Sequence, residues 1–118
     1  MFRLAEQYLI RAEARAQQNN ISGAQADLNA IRTRAGLANV TATTQTGLVT
    51  AIYHERQIEL FTEFGHRWFD LKRTGQLDAV MGIAAPQKGG TWASYKALIP
   101  IPASEISINP HLTQNPGY

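Results

Sequence analysis

Leu4-Ala5-Glu6-Gln7-Tyr8-Leu9-Ile10-Arg11-Ala12-Glu13-Ala14-Arg15-Ala16 is separated by the polar break Gln17-Gln18-Asn19-Asn20 from a second run. That run is Ile21-Ser22-Gly23-Ala24-Gln25-Ala26-Asp27-Leu28-Asn29-Ala30-Ile31-Arg32-Thr33-Arg34-Ala35-Gly36. Ala5, Tyr8, Leu9, Ala12 and Ala16 share one face of a 3.6-residue period, which predicts an amphipathic helix over 2–18. Its alanine-rich half leaves room for close approach by a partner helix. Ser22 and Gln25 match a capping box, with Ile21 placed to staple onto Ala26. The second helix then runs to about Arg34, with Ala24, Leu28, Ile31 and Ala35 on one face. Gly36 stands where a left-handed C-terminal cap is expected. About four residues join the two helices, which implies an antiparallel hairpin.

The hairpin resembles a tetratricopeptide unit, because the spacing of Ala12, Ala24, Leu28 and Ile31 approaches that repeat's small and large positions. Only one copy is present. Working outward, 37–46 has no period and reads as a loop, with one of its threonines capping the next helix. A third helix is predicted over 47–63, with Leu48, Val49, Ile52, Tyr53 and Leu60 among its apolar positions. A shorter one over 66–73 carries Trp68, Phe69 and Leu71, with the two aromatics expected in the core. One more helical turn is expected at 76–81. All five prolines lie beyond 82, which excludes a long regular helix there. Pro100-Ile101-Pro102 holds an extended path, and 103–107 makes one turn. The fold class is therefore all-α: tetratricopeptide-like hairpins followed by an irregular, proline-rich C-terminal segment. With no linker visible, residues 1–118 are expected to form one domain.

Composition narrows the function. The 118 residues carry 11 Lys+Arg against 9 Asp+Glu, a net charge of +2 with the signs interspersed, which argues against a nucleic-acid partner. No apolar run approaches the roughly 18 residues of a membrane span. The absence of cysteine removes disulfides, thiolate metal sites and thiol catalysis. His54-Glu55-Arg56-Gln57-Ile58 begins like a zinc-protease helix, but Ile58 stands where the second histidine is required. His66 and His111 lack ligand spacing. No metal, cofactor or catalytic residue is expected.

Glu55, Glu59 and Glu63 are four apart and invite an acid/base reading. Arg56 and Arg67 are spaced to compensate them along the helix, so the stripe reads as structural ion pairing. A hydrolase using Glu59 and Glu63 is the minor alternative. Trp92 and Tyr95 lie in a polar, glycine-flanked segment, where a ring either stacks on a sugar or pins the loop. They are the candidate ligand-binding residues.

Arg56-Gln57-Ile58-Glu59-Leu60, followed by Glu63-Phe64-Gly65-His66-Arg67-Trp68-Phe69-Asp70-Leu71-Lys72-Arg73, resembles the C-terminal part of the SusD/RagB family. Three further segments agree in order. They are Ala5 to Ala14, Leu28 to Gly36, and the terminal run from Leu98-Ile99-Pro100-Ile101-Pro102 to Gln114-Asn115-Pro116-Gly117-Tyr118. The resemblance implies a C-terminal portion of a longer, non-catalytic outer-membrane lipoprotein at the cell surface. Such proteins bind oligosaccharide or sometimes peptide and partner a SusC-like TonB-dependent transporter. Membrane attachment would come through an N-terminal lipidated cysteine that this chain lacks. Arg32, Arg34, Glu55, Arg56, Glu59, Glu63, Arg67 and Asp70 are then expected to form a structural ion-pair network. The alternative function is a helical-repeat interaction module that binds a peptide.

Overall fold

The computed structural model describes residues 3–118. The expected helix start at Phe2 lies outside them. Six α-helices follow in order: α1 (Leu4–Gln17), α2 (Ile21–Arg34), α3 (Gln45–Glu59), α4 (His66–Arg73), α5 (Leu77–Gln87) and α6 (Ala103–Ile108), with a 3-10 turn over Ser94–Ala97. The described residues contain no strand, and the all-α class stands. The chain packs as two compact units. The first ends at Arg67 and the second spans Trp68–Tyr118.

In the first unit α1 packs against both α2 and α3, and α2 also meets α3. Ala5, Leu9, Ala12 and Ala16 of α1 face Ala24, Leu28 and Ile31 of α2 and Leu48 and Ile52 of α3. The small residues at Ala12, Ala16 and Ala24 are wholly buried, which lets the helix backbones come close. The turn between α1 and α2 is closed by a Schellman motif. Asn19 adopts φ 60°, and the amide of Asn20 donates to the Arg15 carbonyl at 2.8 Å. At the end of α2, Gly36 takes φ 72° and the Leu37 amide donates to the Arg32 carbonyl at 2.8 Å, as its position in the sequence leads one to expect.

Several local expectations are corrected. The cap of α2 is Asn20, whose side chain accepts from the Gly23 amide at 3.0 Å, and not Ser22. Gln25 makes no capping box. It reaches out of the helix and donates to the Ala42 carbonyl at 2.7 Å. Asn29 accepts from the Val40 amide at 2.8 Å, and Arg32 donates to the Ala38 carbonyl at 2.8 Å. Three side chains at i, i+4 and i+7 of α2 thus lay the 37–44 loop along the helix. Thr44 caps α3 by accepting from the Gly47 amide at 3.2 Å, as anticipated of a threonine in that loop.

Helix α3 ends four residues early. Thr62 and Phe64 adopt positive φ (63° and 43°), which an α-helix cannot contain. The guanidinium of Arg3 accounts for the stop. It donates to the free Glu59 carbonyl at 3.0 Å, to the Glu59 carboxylate at 2.6 Å and to the Glu63 carboxylate. Phe69 is corrected from core to surface at 61% exposure, and Trp68 is half-buried. Leu71 holds the buried position of α4.

In the second unit α5 extends well past the single turn expected, and includes Pro86. A proline in the last turn forfeits only one helical bond, so it does not stop a helix that is about to end. The C-terminal path is held by side-chain amides. Gln114 accepts from the Ile101 amide at 2.8 Å and donates to the Ile101 carbonyl at 2.9 Å, while Asn115 donates to the Ile99 carbonyl at 2.8 Å. Ile101 is the one residue of Pro100-Ile101-Pro102 with an amide hydrogen, and Gln114 satisfies it as a neighbouring strand would. Gln114→Ala should remove about 1–2 kcal/mol of local stability. It should show as faster amide exchange at Ile101 with the first unit unchanged; unaltered exchange there would contradict this role.

Candidate functional site

The aromatic segment is built by the second unit. Gly89 and Gly90 end α5 and start the loop, and the 3-10 turn that follows places Tyr95. The Trp92 indole Nε1 donates to Asp78 Oδ1 at 2.7 Å, and its ring meets Trp68 edge-on with centroids 6.1 Å apart. Tyr95 meets Tyr118 edge-on at 5.1 Å. One side of the Tyr95 ring lies on Gly117, where a Cβ would fall 2.5 Å from the tyrosine Cγ. Both candidate residues therefore pin the loop. Tyr95 still keeps 39% of its surface in solvent, and Trp92 is half-buried. Beside the Trp92–Asp78 bond is a cavity of about 260 Å³ lined by Lys72, Gly75, Leu77, Asp78 and Ala97.

The charged residues sort differently from the stripe read along α3. Arg32 of α2 pairs with Glu55 at 2.8 Å, and Arg34 pairs with Glu59 at 2.6 Å. Arg3 bridges Glu59 and Glu63. The expected compensation of Glu63 by Arg67 gives way to Arg3, the N-cap of α1, and Glu59 is met across helices by Arg3 and by Arg34 of α2. The physical reason is reach: guanidinium groups of neighbouring helices meet carboxylates that point across the packing seam. Arg56 is buried, and Arg67 is exposed. Asp70 pairs with Arg73 at 2.8 Å within α4. Because Glu59 and Glu63 are occupied by arginine, they do not present a pair of carboxyls across a sugar-sized gap.

A further ion cluster, around a buried carboxylate, joins α1 and α2. Asp27 accepts from Arg11 Nε at 2.9 Å and Nη2 at 2.7 Å, and from Arg15 Nη1 at 2.7 Å. The hydrogen bonds that Arg11 donates to Asp27, and then the negative charge of that carboxylate, raise the Arg11 pKa above its ordinary value. Arg11 also lies over the Tyr8 ring at 5.2 Å. A shallow groove of about 520 Å³ runs along this face of α1, lined by Leu4, Gln7, Tyr8, Ile10 and Arg11. Sequence reasoning missed this cluster, although a signal existed. Arg11 and Asp27 stand equally far from the turn at Asn19, so an antiparallel hairpin brings them level.

A tetratricopeptide-like helical unit with an amide-clamped, proline-rich end defines a class of all-helical scaffold, and comparison with known proteins narrows it. The model of the SusD family matches residues 1–118, and the chain belongs to that family. It is 37% identical to the starch-binding protein SusD of Bacteroides thetaiotaomicron, over all of this chain and 21% of that protein. It is 33% identical to a SusD-like protein of Formosa agariphila, over all of this chain and 24% of that protein. The chain thus spans about a fifth to a quarter of these relatives. Among solved structures, a SusD superfamily protein of Bacteroides vulgatus superposes with a TM-score of 0.82 at 30% identity, over 99% of this chain and 27% of that one. Surface glycan-binding protein A of Bacteroides uniformis superposes with a TM-score of 0.75 at 32% identity, over 97% of this chain and 26% of that one.

Proposed function

We propose that the protein is a non-catalytic, surface-exposed glycan-binding protein of the outer membrane, the SusD-like component of a TonB-dependent uptake system. It would capture oligosaccharide and pass it to a SusC-like transporter. The observation that carries this reading is the family match along the whole chain, together with the likeness to a starch-binding relative. The charges of the first unit have a structural part in it. Arg3, Arg32, Arg34, Glu55, Glu59 and Glu63 tie α1, α2 and α3 together, which leaves recognition to other surfaces. Trp92 and Tyr95 contribute one wall of the binding surface, with Tyr95 offering its solvent-exposed part and Trp92 fixing the loop.

Calorimetric titration of the full-length protein with maltoheptaose, cellohexaose and a peptide pool tests the ligand class. Oligosaccharide binding without turnover is the expected outcome. Binding of peptide alone, or release of reducing ends, would overturn the reading. Co-purification of a TonB-dependent transporter with the tagged protein from outer membranes tests the partner.

A further inference from the structure

We propose that the cavity beside Trp92 is a subsite for one ring of a neutral oligosaccharide, with Lys72 and Asp78 holding the hydroxyls. This rests on the glycan-binding reading above and adds to it a location and a class of sugar. A pyranose ring has an apolar C–H face and a rim of hydroxyls that both donate and accept. The cavity supplies both kinds of surface. Leu77, Ala97 and Gly75 provide apolar lining, while Lys72 provides a donor and Asp78 an acceptor.

The polar groups are also prepared. Asp78 Oδ1 is held by the Trp92 indole at 2.7 Å, which orients the carboxylate before any ligand arrives. Its other oxygen and the Lys72 ammonium have no partner among the described residues. A sugar hydroxyl can therefore bond to each without displacing a protein contact. At Gly75 a side chain would meet nothing within 4 Å, so the approach on that side is open.

Size and charge select the ligand. At about 260 Å³ the cavity falls below the roughly 300 Å³ at which ordinary small-ligand sites begin, so it accommodates a single ring and not a chain. The one cation and one anion on its wall cancel. The lining therefore carries no net charge to draw an ionic sugar, and a neutral hexose is favoured over a uronate or an amino sugar.

The test is titration of the full-length protein with maltoheptaose, cellohexaose and trigalacturonate, alongside Lys72→Met, Asp78→Asn and, as an exposed control, Lys88→Met. Asp78→Asn keeps an acceptor for Trp92 and Lys72→Met keeps the aliphatic stem, so neither change empties the fold. The expected result is binding of a neutral probe, a loss of at least tenfold in affinity for Lys72→Met and for Asp78→Asn, and none for Lys88→Met. Neutral-sugar binding that all three variants retain would overturn the subsite and leave the glycan-binding reading standing. Preference for trigalacturonate would overturn the class of sugar. Failure of every glycan to bind the parent protein would remove the subsite together with the reading beneath it.

Discussion

Asp27→Ala is expected to lower the free energy of unfolding by about 3 kcal/mol. The carboxylate is 3% exposed and accepts three hydrogen bonds from two guanidinium groups of the neighbouring helix. Hydrogen bonds to charged partners contribute roughly 1.5–3 kcal/mol each. Full additivity would exceed that total, but Arg11 and Arg15 keep 54% and 33% of their side-chain surface and are solvated again once Asp27 is gone. Asp27→Asn, which keeps the shape and loses the charge, should cost less. Urea denaturation followed by circular dichroism measures both. An Asp27→Ala variant within about 0.5 kcal/mol of the parent would show that the cluster is decoration on a hairpin held by packing alone.

Leu9→Ala should destabilise the first unit by about 3–4 kcal/mol, the middle of the range for emptying a closed core position. Leu9 is 0% exposed and sits in the core where α1 is packed by both α2 and α3. Its neighbours Ala5, Ala12 and Ala16 are too small to swing into the space. Leu9→Met, which conserves volume, should cost less than about 1.5 kcal/mol. Thermal unfolding of the two variants separates cavity formation from mere sequence change. Equal losses would mean that the site needs the leucine's branching and not its bulk.

The two predictions draw on different layers of legibility. The position of Leu9 on the buried face followed from the 3.6-residue period, as did Ala5, Ala12, Ala16, Leu28, Leu48 and Ile52. Period is a local property, because a helix presents the same face whatever it packs against. Asp27 had no such signal on its own helix. It stands beside Leu28 on the buried side, and only the arginines of α1 make that burial tolerable. Likewise the length of α3 was overestimated because Glu59 and Glu63 continue the helical pattern. What stops the helix is Arg3, more than fifty residues away in sequence. The length of α5 was underestimated for the opposite reason, since a proline weighs heavily in a pattern but little in a last turn.

At the candidate site the same division holds. The sequence singled out Trp92 and Tyr95 from their polar, glycine-flanked surroundings, and family membership from four ordered motifs. It did not bring Lys72, Asp78 and Trp92 together, because they lie on a helix end, a helix start and a loop. By itself, then, the sequence determined the helical class, the hairpin, most of the buried faces and the family. Periodicity, caps and ordered motifs are written in neighbouring residues. Only the tertiary structure decided which arginine meets which carboxylate, where α3 stops and α5 continues, and that a lysine and an aspartate flank the same cavity. Long side chains choose partners by distance across a packed seam, and that distance exists only once the helices have packed.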